Sequence, residues 1–304
     1  MPRNASDRLR IEKASPGDQV EALKLLFSYL PNPDCDKQIT KFLGESACSP
    51  PAGLWVAFRH KRLVGAGLAQ IQPGKTAIIS PPRLVADEPV EAARALLETI
   101  VADLTQEGVR LAQALLETDH GPEAELLSAC GFPQVSKLLY LVSVDGSFPF
   151  SRPNDGLEFS EDRADQPQRM ARLVERTYRG SLDCPAVDGV RQIEDVLEGY
   201  RASGVFDPTR WIIARHRDQD IGCLLLTDHP RDNQWELLYM GVVPEARGHG
   251  FGVAMARYAQ WLAREAGRNR LVLAVDAANL PAIAAYAAAG FVAWDHRSVY
   301  LRIL

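Results

Sequence analysis

Runs of apolar residues at two different spacings set out the chain. Positions 235–243 read as a strand, and the apolar positions of 253–266 recur at helical spacing. The same alternation of elements occurs twice. A strand at 9–13 and a helix at 16–29 open the first half, as 157–160 and 166–178 open the second. Trp55-Val-Ala-Phe-Arg59-His60 parallels Trp211-Ile-Ile-Ala-Arg215-His216. Each is followed by a short charged turn and a second apolar run through Gly65 or Gly222, the pattern of a β-hairpin. Glu107-Gly108 and Ala266-Gly267 end matching helices, each followed by a strand, and the aromatic-aliphatic runs 138–144 and 298–304 close the two halves. These matches keep their order at an offset of about 156 to 159, the mark of an internal repeat. Strand, helix and hairpin in this order predict an α+β, mixed-sheet fold in each half. The expected domains are 1–148 and 156–304, joined through the Ser-, Pro- and Gly-rich segment 145–155.

A chain of 304 residues is long enough for two such cores. A net charge of -5 gives no electrostatic reason to expect nucleic acid or an anionic membrane as partner. The five cysteines, at 35, 48, 130, 184 and 223, are odd in number and scattered. They point away from a disulfide framework or a zinc site and toward a reducing compartment. The first residues, Met-Pro-Arg-Asn-Ala-Ser-Asp, carry no apolar leader, and no uncharged run approaches 18 residues. A cytoplasmic protein with no metal is the expectation.

Chemistry concentrates at the strand-to-helix junction Val242-Val243-Pro244-Glu-Ala-Arg247-Gly248-His249-Gly250-Phe251-Gly252. A glycine-rich turn opening a helix presents backbone N–H groups to an anion, aided by the helix dipole. Arg247 adds a cationic fork suited to phosphate oxygens. The glycines fall at 248, 250 and 252, which does not fit the dinucleotide pattern G-x-G-x-x-G, and no Gly-Lys-Ser/Thr follows as in a nucleotide P-loop. The expected ligand is a pyrophosphate of another kind.

At these residues the chain resembles the GCN5-related N-acetyltransferase (GNAT) superfamily, whose acetyl-CoA motif runs V-x-P-x-x-R-G-x-G-x-G. A second block, Asn279, Ala282, Tyr286 and Gly290-Phe291, follows in the family spacing N-x-x-A-x-x-x-Y-x-x-x-G-F. The resemblance covers residues 157–304 well and the first half weakly. It implies two tandem GNAT-like domains, each a mixed, mostly antiparallel sheet flanked by helices, with acetyl-CoA as the acyl donor. Donor contacts are expected from Met240, Val242, Val243, residues 247–252, Asn279 and Tyr286. In the family the strand around Met240 splays from its neighbour and leaves amides free for the donor.

Transfer of an acetyl group from a thioester to an amine needs a neutral amine, a stabilised oxyanion and a proton for the leaving thiolate. The resemblance makes Tyr286 the acid. Glu236, six residues before Val242, is the candidate base, with Asp276 or a water chain as alternatives. Tyr178, Asp183 and Asp188, in the segment that shapes the acceptor site in the family, are candidates to hold a cationic amine. Cys184 reads as a packed thiol, since direct transfer needs no acyl-enzyme. A shift of 159 places Glu88, Glu91 and Ala93 where the second half has Arg247, Gly250 and Gly252. Leu127 falls at Tyr286 and His120 at Asn279. The first half is therefore expected to bind no acetyl-CoA and to be non-catalytic. The expected activity is direct N-acetylation of a small-molecule or peptide amine in a ternary complex, by a monomer or homodimer. Other readings are a GNAT with another acyl donor or a protein amine as acceptor, and a non-catalytic acyl-CoA-binding sensor or interaction module.

Overall fold

Each predicted hairpin turns on two consecutive non-glycine residues in the left-handed region. They are His60 and Lys61 (φ 47° and 73°) between β2 (Leu54–Arg59) and β3 (Arg62–Gln72). Their counterparts are Arg217 and Asp218 (φ 48° and 65°), between β8 (Trp211–His216) and β9 (Gln219–His229). Positive φ at both central residues is the two-residue turn whose twist matches that of paired strands. A register shift follows Ala57 in one hairpin and Ala214 in the other, so the repeat extends to its irregularities. The computed structural model describes residues 8–45, 53–153, 156–162 and 167–304. The N-terminal heptapeptide, Cys48 and positions 154–155 of the expected linker lie outside the described residues.

The chain divides into two compact units, residues 1–135 with 298–304, and residues 136–297. In the first unit β1 (Arg10–Lys13), β2, β3 and β4 (Thr76–Leu84) pair antiparallel in sequence order. β4 then pairs in parallel with β5 (Leu111–Leu116), and Ser298 to Ile303 of β12 (Val292–Ile303) close the sheet antiparallel to β5. In the second unit β7 (Glu158–Glu161), β8, β9 and β10 (Gln234–Val242) pair antiparallel. β10 pairs in parallel with β11 (Arg270–Asp276), and β6 (Gln134–Val144) closes this sheet along β11. Each unit is thus a mixed, mostly antiparallel sheet with helices, as the sequence pattern predicts.

The unit boundaries differ from the expected ones. The second unit takes its closing strand from the first half of the sequence, and the first unit takes the last residues of the chain. Both strands are apolar and close their halves in sequence, but an alternating pattern states which face is buried and not which strand is the neighbour. The described part of the expected linker, 145–153, is correspondingly structured. Asp145 N–H donates to Asn269 O (2.9 Å), Phe148 is buried, and the Arg152 guanidinium lies over the Tyr258 ring.

Helices α5 (Pro167–Tyr178) and α7 (Phe251–Glu265) lie on opposite faces of the second sheet. A Cβ on Gly241 would strike Thr177 of α5, whereas one on Gly222 would meet Met255 of α7 at 3.0 Å. Gly241 pairs with Cys223, the neighbour of Gly222, and successive strand residues face opposite ways. Met255, Ala259 and Ala263, four residues apart, are fully buried in the core of this unit. α7 ends where Gly267 takes φ 70° and Arg268 N–H reaches back to Ala263 O. Among the described residues no helix is long and apolar enough to cross a membrane.

Candidate active site

The parallel ladder between β10 and β11 is three residues long. Gln234, Trp235 and Glu236 pair with Arg270, Leu271 and Val272, and no register is kept beyond them. From 237 onward β10 is paired only with β9, and a β-bulge between Leu237 and Tyr239 increases its local twist. A cavity of about 510 Å³ occupies the gap, walled by 237–242 of β10 and by Ala274 and Val275 of β11. Its wall also includes Thr177 at the end of α5 and Phe251 to Val253 at the start of α7, so the cavity passes through the sheet. The expected splay is present.

One end of the cavity is a nest of backbone amides. Gly248 and Gly250 both have φ 80°, a conformation that L side chains resist, and Gly250 is the N-cap of α7. The amides of residues 248–252 donate to no backbone carbonyl among the described residues. Unpaired N–H groups at a helix N-terminus are the arrangement that holds a phosphate or pyrophosphate. The Cβ that Gly252 lacks would sit 3.5 Å from Ala285 of α8 (Leu280–Ala288), where the two helices approach closely.

Arg247 lines the cavity, but its guanidinium is not the open fork that its position suggests. It donates to Val242 O (3.1 Å), Gly180 O (2.8 Å) and Thr177 O (2.9 Å). Thr177 and Gly180 bracket the C-terminus of α5, where free carbonyls and the negative end of the helix dipole attract a cation. Arg247 therefore straps α5 to the end of β10. Two other expected donor contacts are absent from the cavity wall. Val243 is buried in the core with its N–H bonded to Ile221 O, and His249 turns its Nδ1 to Arg247 O (2.9 Å). Met240, Val242, Gly248, Gly250, Phe251, Gly252, Asn279 and Tyr286 all line it.

The far wall is α8. Asn279 caps it, its Oδ1 accepting from Ala282 N–H (3.3 Å), and also faces the cavity. Tyr286 is 6% exposed, edge-on to Phe291 at 5.6 Å, and is set among alanines that let the helix approach. Burial pushes its phenol well above the usual tyrosine range, with the Asp183 carboxylate adding to the shift. The hydroxyl therefore keeps its proton through neutral and mildly alkaline pH.

Glu236 does not line the cavity. It stands at the last paired position of the ladder, where the gap begins, and its Oε2 lies 2.8 Å from His229 Nε2. It pairs with Thr227 on one side and Val272 on the other. Thr227 is on the same face as Cys223, so the Glu236 carboxylate projects toward the α5 side of the sheet. Asp276 is committed elsewhere, accepting from the N–H groups of Cys184 (3.0 Å) and Ala278 (2.8 Å). Asp183 returns the contact, accepting from Asp276 N–H (3.0 Å), and lines the donor cavity. Tyr178 lines a neighbouring cavity instead, with its hydroxyl 3.3 Å from that of Tyr200. Burial and the two nearby aspartates push the Cys184 thiol up to about 11, which fits a packed thiol rather than a nucleophile. Tyr239 is an unforeseen site residue. It belongs to both cavities and hydrogen-bonds Thr177 Oγ (2.8 Å), and its place on β10, two residues before Gly241, is the signal that marks it.

An amide nest, a splayed parallel strand pair and a buried phenol thus meet in one cavity. Residues 173–291 match the Acetyltransferase (GNAT) family. A mycothiol acetyltransferase of Paenarthrobacter aurescens (strain TC1) is 28% identical over 189 residues, covering 60% of this chain and 57% of that protein. One from Streptomyces bingchenggensis (strain BCW-1) is 33% identical over 106 residues, 34% of each chain. The chain thus spans little more than half the length of the first of these relatives and a third of the second. Among solved structures, a GCN5-related N-acetyltransferase from Sphaerobacter thermophilus superposes with a TM-score of 0.65 at 14% identity, over 98% of this chain and 96% of that one. A tandem GNAT protein from the clavulanic acid biosynthesis pathway gives 0.50 at 16% identity, over 97% and 98%. These likenesses establish the fold.

Proposed function

We propose that the second unit transfers an acetyl group from acetyl-CoA directly to a primary amine, and that the first unit binds no donor. The carrying observation is the set of unpaired amides of Gly248, Gly250, Phe251 and Gly252, residues that line the same cavity as Tyr286. In this reading the amides hold the pyrophosphate, and the unpaired edge of β10 from 237 to 242 meets the pantetheine and the thioester carbonyl. Fixing the donor turns a bimolecular step into an oriented one. Glu236, at the apex of the gap, takes the proton that the amine sheds, directly or through water. As the N–C bond forms and the C–S bond breaks, the Tyr286 hydroxyl gives its proton to the departing sulfur.

The first unit repeats the frame without these groups. Its parallel ladder pairs Thr76, Ala77 and Ile78 with Leu111, Ala112 and Gln113, so Ile78 occupies the register of Glu236. Its Glu88 is ion-paired with Arg59 (2.7 Å) where the second unit opens its nest, and Leu127 is buried in the position of Tyr286.

The test is release of free CoA thiol from acetyl-CoA against a panel of amines, including the amine precursor of mycothiol that the relatives' name suggests. Acceptor-dependent release with one donor bound per chain is expected. Tight donor binding without release for any amine would instead establish an acyl-CoA-binding module.

A further inference from the structure

A second cavity, of about 340 Å³, adjoins the donor cavity and shares Ser181, Asp183 and Tyr239 with it. Three tyrosines form its inner wall. Tyr178 stands edge-on to Tyr239 (centroids 5.3 Å apart, 89°), and Tyr200 of α6 (Ile193–Arg201) stacks on Tyr239 at 5.9 Å and 26°. Their hydroxyls are engaged, Tyr178 with Tyr200 and Tyr239 with Thr177, so what they offer a ligand is chiefly their rings. The remaining wall carries three carboxylates, Glu175, Asp183 and Asp188, against the single guanidinium of Arg191. Asp183 keeps solvent access, yet the protein around its carboxyl and the neighbouring Asp276 carboxylate raise its pKa. A cation placed beside it would relieve both effects.

Aromatic rings beside an excess of carboxylate select an organic cation. The reacting amine is a poor occupant, because a site that stabilises ammonium holds it protonated and unable to attack. We propose that this cavity binds a second, non-reacting ammonium group of the acceptor, so that the acceptor class is a diamine or a longer polyamine. The proposal rests on the acetyltransferase reading, and the cavity's position beside the donor site gives such an acceptor two anchoring points.

Two measurements test it. In the first, kcat/KM for 1,4-diaminobutane and spermidine is compared with that for butylamine. The polyamines should be preferred by about tenfold or more. The double variant Glu175→Gln with Asp188→Asn should lose most of that preference, through KM for the polyamines. In the second, calorimetry without donor follows binding of spermidine itself to wild type and to the same variant. Saturable binding that the variant weakens about tenfold supports the cation site even if no amine is acetylated, in which case only the catalytic reading fails. Equal kcat/KM for the diamine and the monoamine, or spermidine binding that the variant leaves unchanged, would overturn the proposal. Tyr200→Leu offers a check on the rings, with its fold monitored by circular dichroism.

Discussion

The guanidinium of Arg247 donates to the backbone oxygen of Thr177, 70 residues earlier, at 2.9 Å, and does so at the C-terminal end of α5. With its bonds to Gly180 O and Val242 O, this residue ties a helix to the strand end that opens the amide nest. Arg247→Ala should therefore lower stability by about 1–2 kcal/mol, the worth of a few partly solvated charge-assisted hydrogen bonds, and weaken donor binding only moderately. Urea unfolding and donor calorimetry check both. Undiminished stability with a Kd raised more than a hundredfold would return Arg247 to a direct phosphate role.

Gly250 is held at φ 80° and lines the cavity at the proposed anion site. Gly250→Ala should cost about 1 kcal/mol in backbone strain with a modest loss of donor affinity. Gly250→Glu adds a negative charge at the nest and should abolish binding of acetyl-CoA. Comparing the two by calorimetry separates strain from repulsion, and equal affinities for both would show that no anion binds there.

Much of this site is visible in the residue order because turn chemistry is local. A left-handed glycine before a helix, an Asn N-cap and a lone tyrosine among alanines each act within a few residues of themselves. Relationships that close over long distance were hidden. The acceptors of Arg247 are main-chain oxygens, which carry no side-chain signal. The exchange of closing strands between the two units depends on which of two similar apolar strands meets β11, a choice that alternation does not encode. In helix α6, Ile193, Val196, Leu197 and Tyr200 stand at helical spacing, a pattern that states which face is buried and not that Tyr200 meets Tyr239.

Arg268 and Asp228 form a bidentate pair, with both N–O distances 2.8 Å and the aspartate side chain 7% exposed. The hydrogen bonds from Arg268 hold the Asp228 pKa below its ordinary value. A depressed folded-state pKa contributes stability that is complete above the unfolded value near 3.9 and is lost as pH falls through the folded one. Arg268→Met should lower stability by about 3 kcal/mol at pH 7, at the low end for a broken buried pair because Arg210 remains at 3.8 Å. The gap between wild type and variant should narrow below pH 4. Urea titrations at pH 7 and pH 3 decide it, and a gap that does not change with pH would mean that the loss is packing alone.

Tyr286→Phe keeps the ring against Phe291 and removes only the proton. The rate constant kcat should fall by about 10²-fold if protonation of the leaving sulfur limits turnover, with donor affinity nearly intact. Because burial raises the phenol above its ordinary pKa, wild type should show no alkaline decline from this residue below about pH 10. A pH–rate profile falling near pH 9 in wild type and flat in the variant would contradict that assignment.

Glu236 meets His229 at 2.8 Å at the last rung before β10 and β11 part, beside the donor cavity but outside its wall. Such a carboxylate is placed to receive a proton from an amine approaching through the gap, and not to hold the donor. Glu236→Gln should then cut kcat by about 10²–10³-fold with donor affinity unchanged. A structural role predicts the same deficit for every acceptor, because a distorted site harms them all. A base predicts a deficit that depends on how much proton removal the acceptor needs. With an amine already neutral at pH 7, such as hydroxylamine, the variant should recover most of the lost rate. His229→Gln should show a smaller deficit with the same dependence on the acceptor, since the imidazole acts through the carboxylate it contacts. Equal deficits for a charged alkylamine and for hydroxylamine would remove Glu236 from the reaction and leave it a hydrogen-bond partner of His229 between β9 and β10.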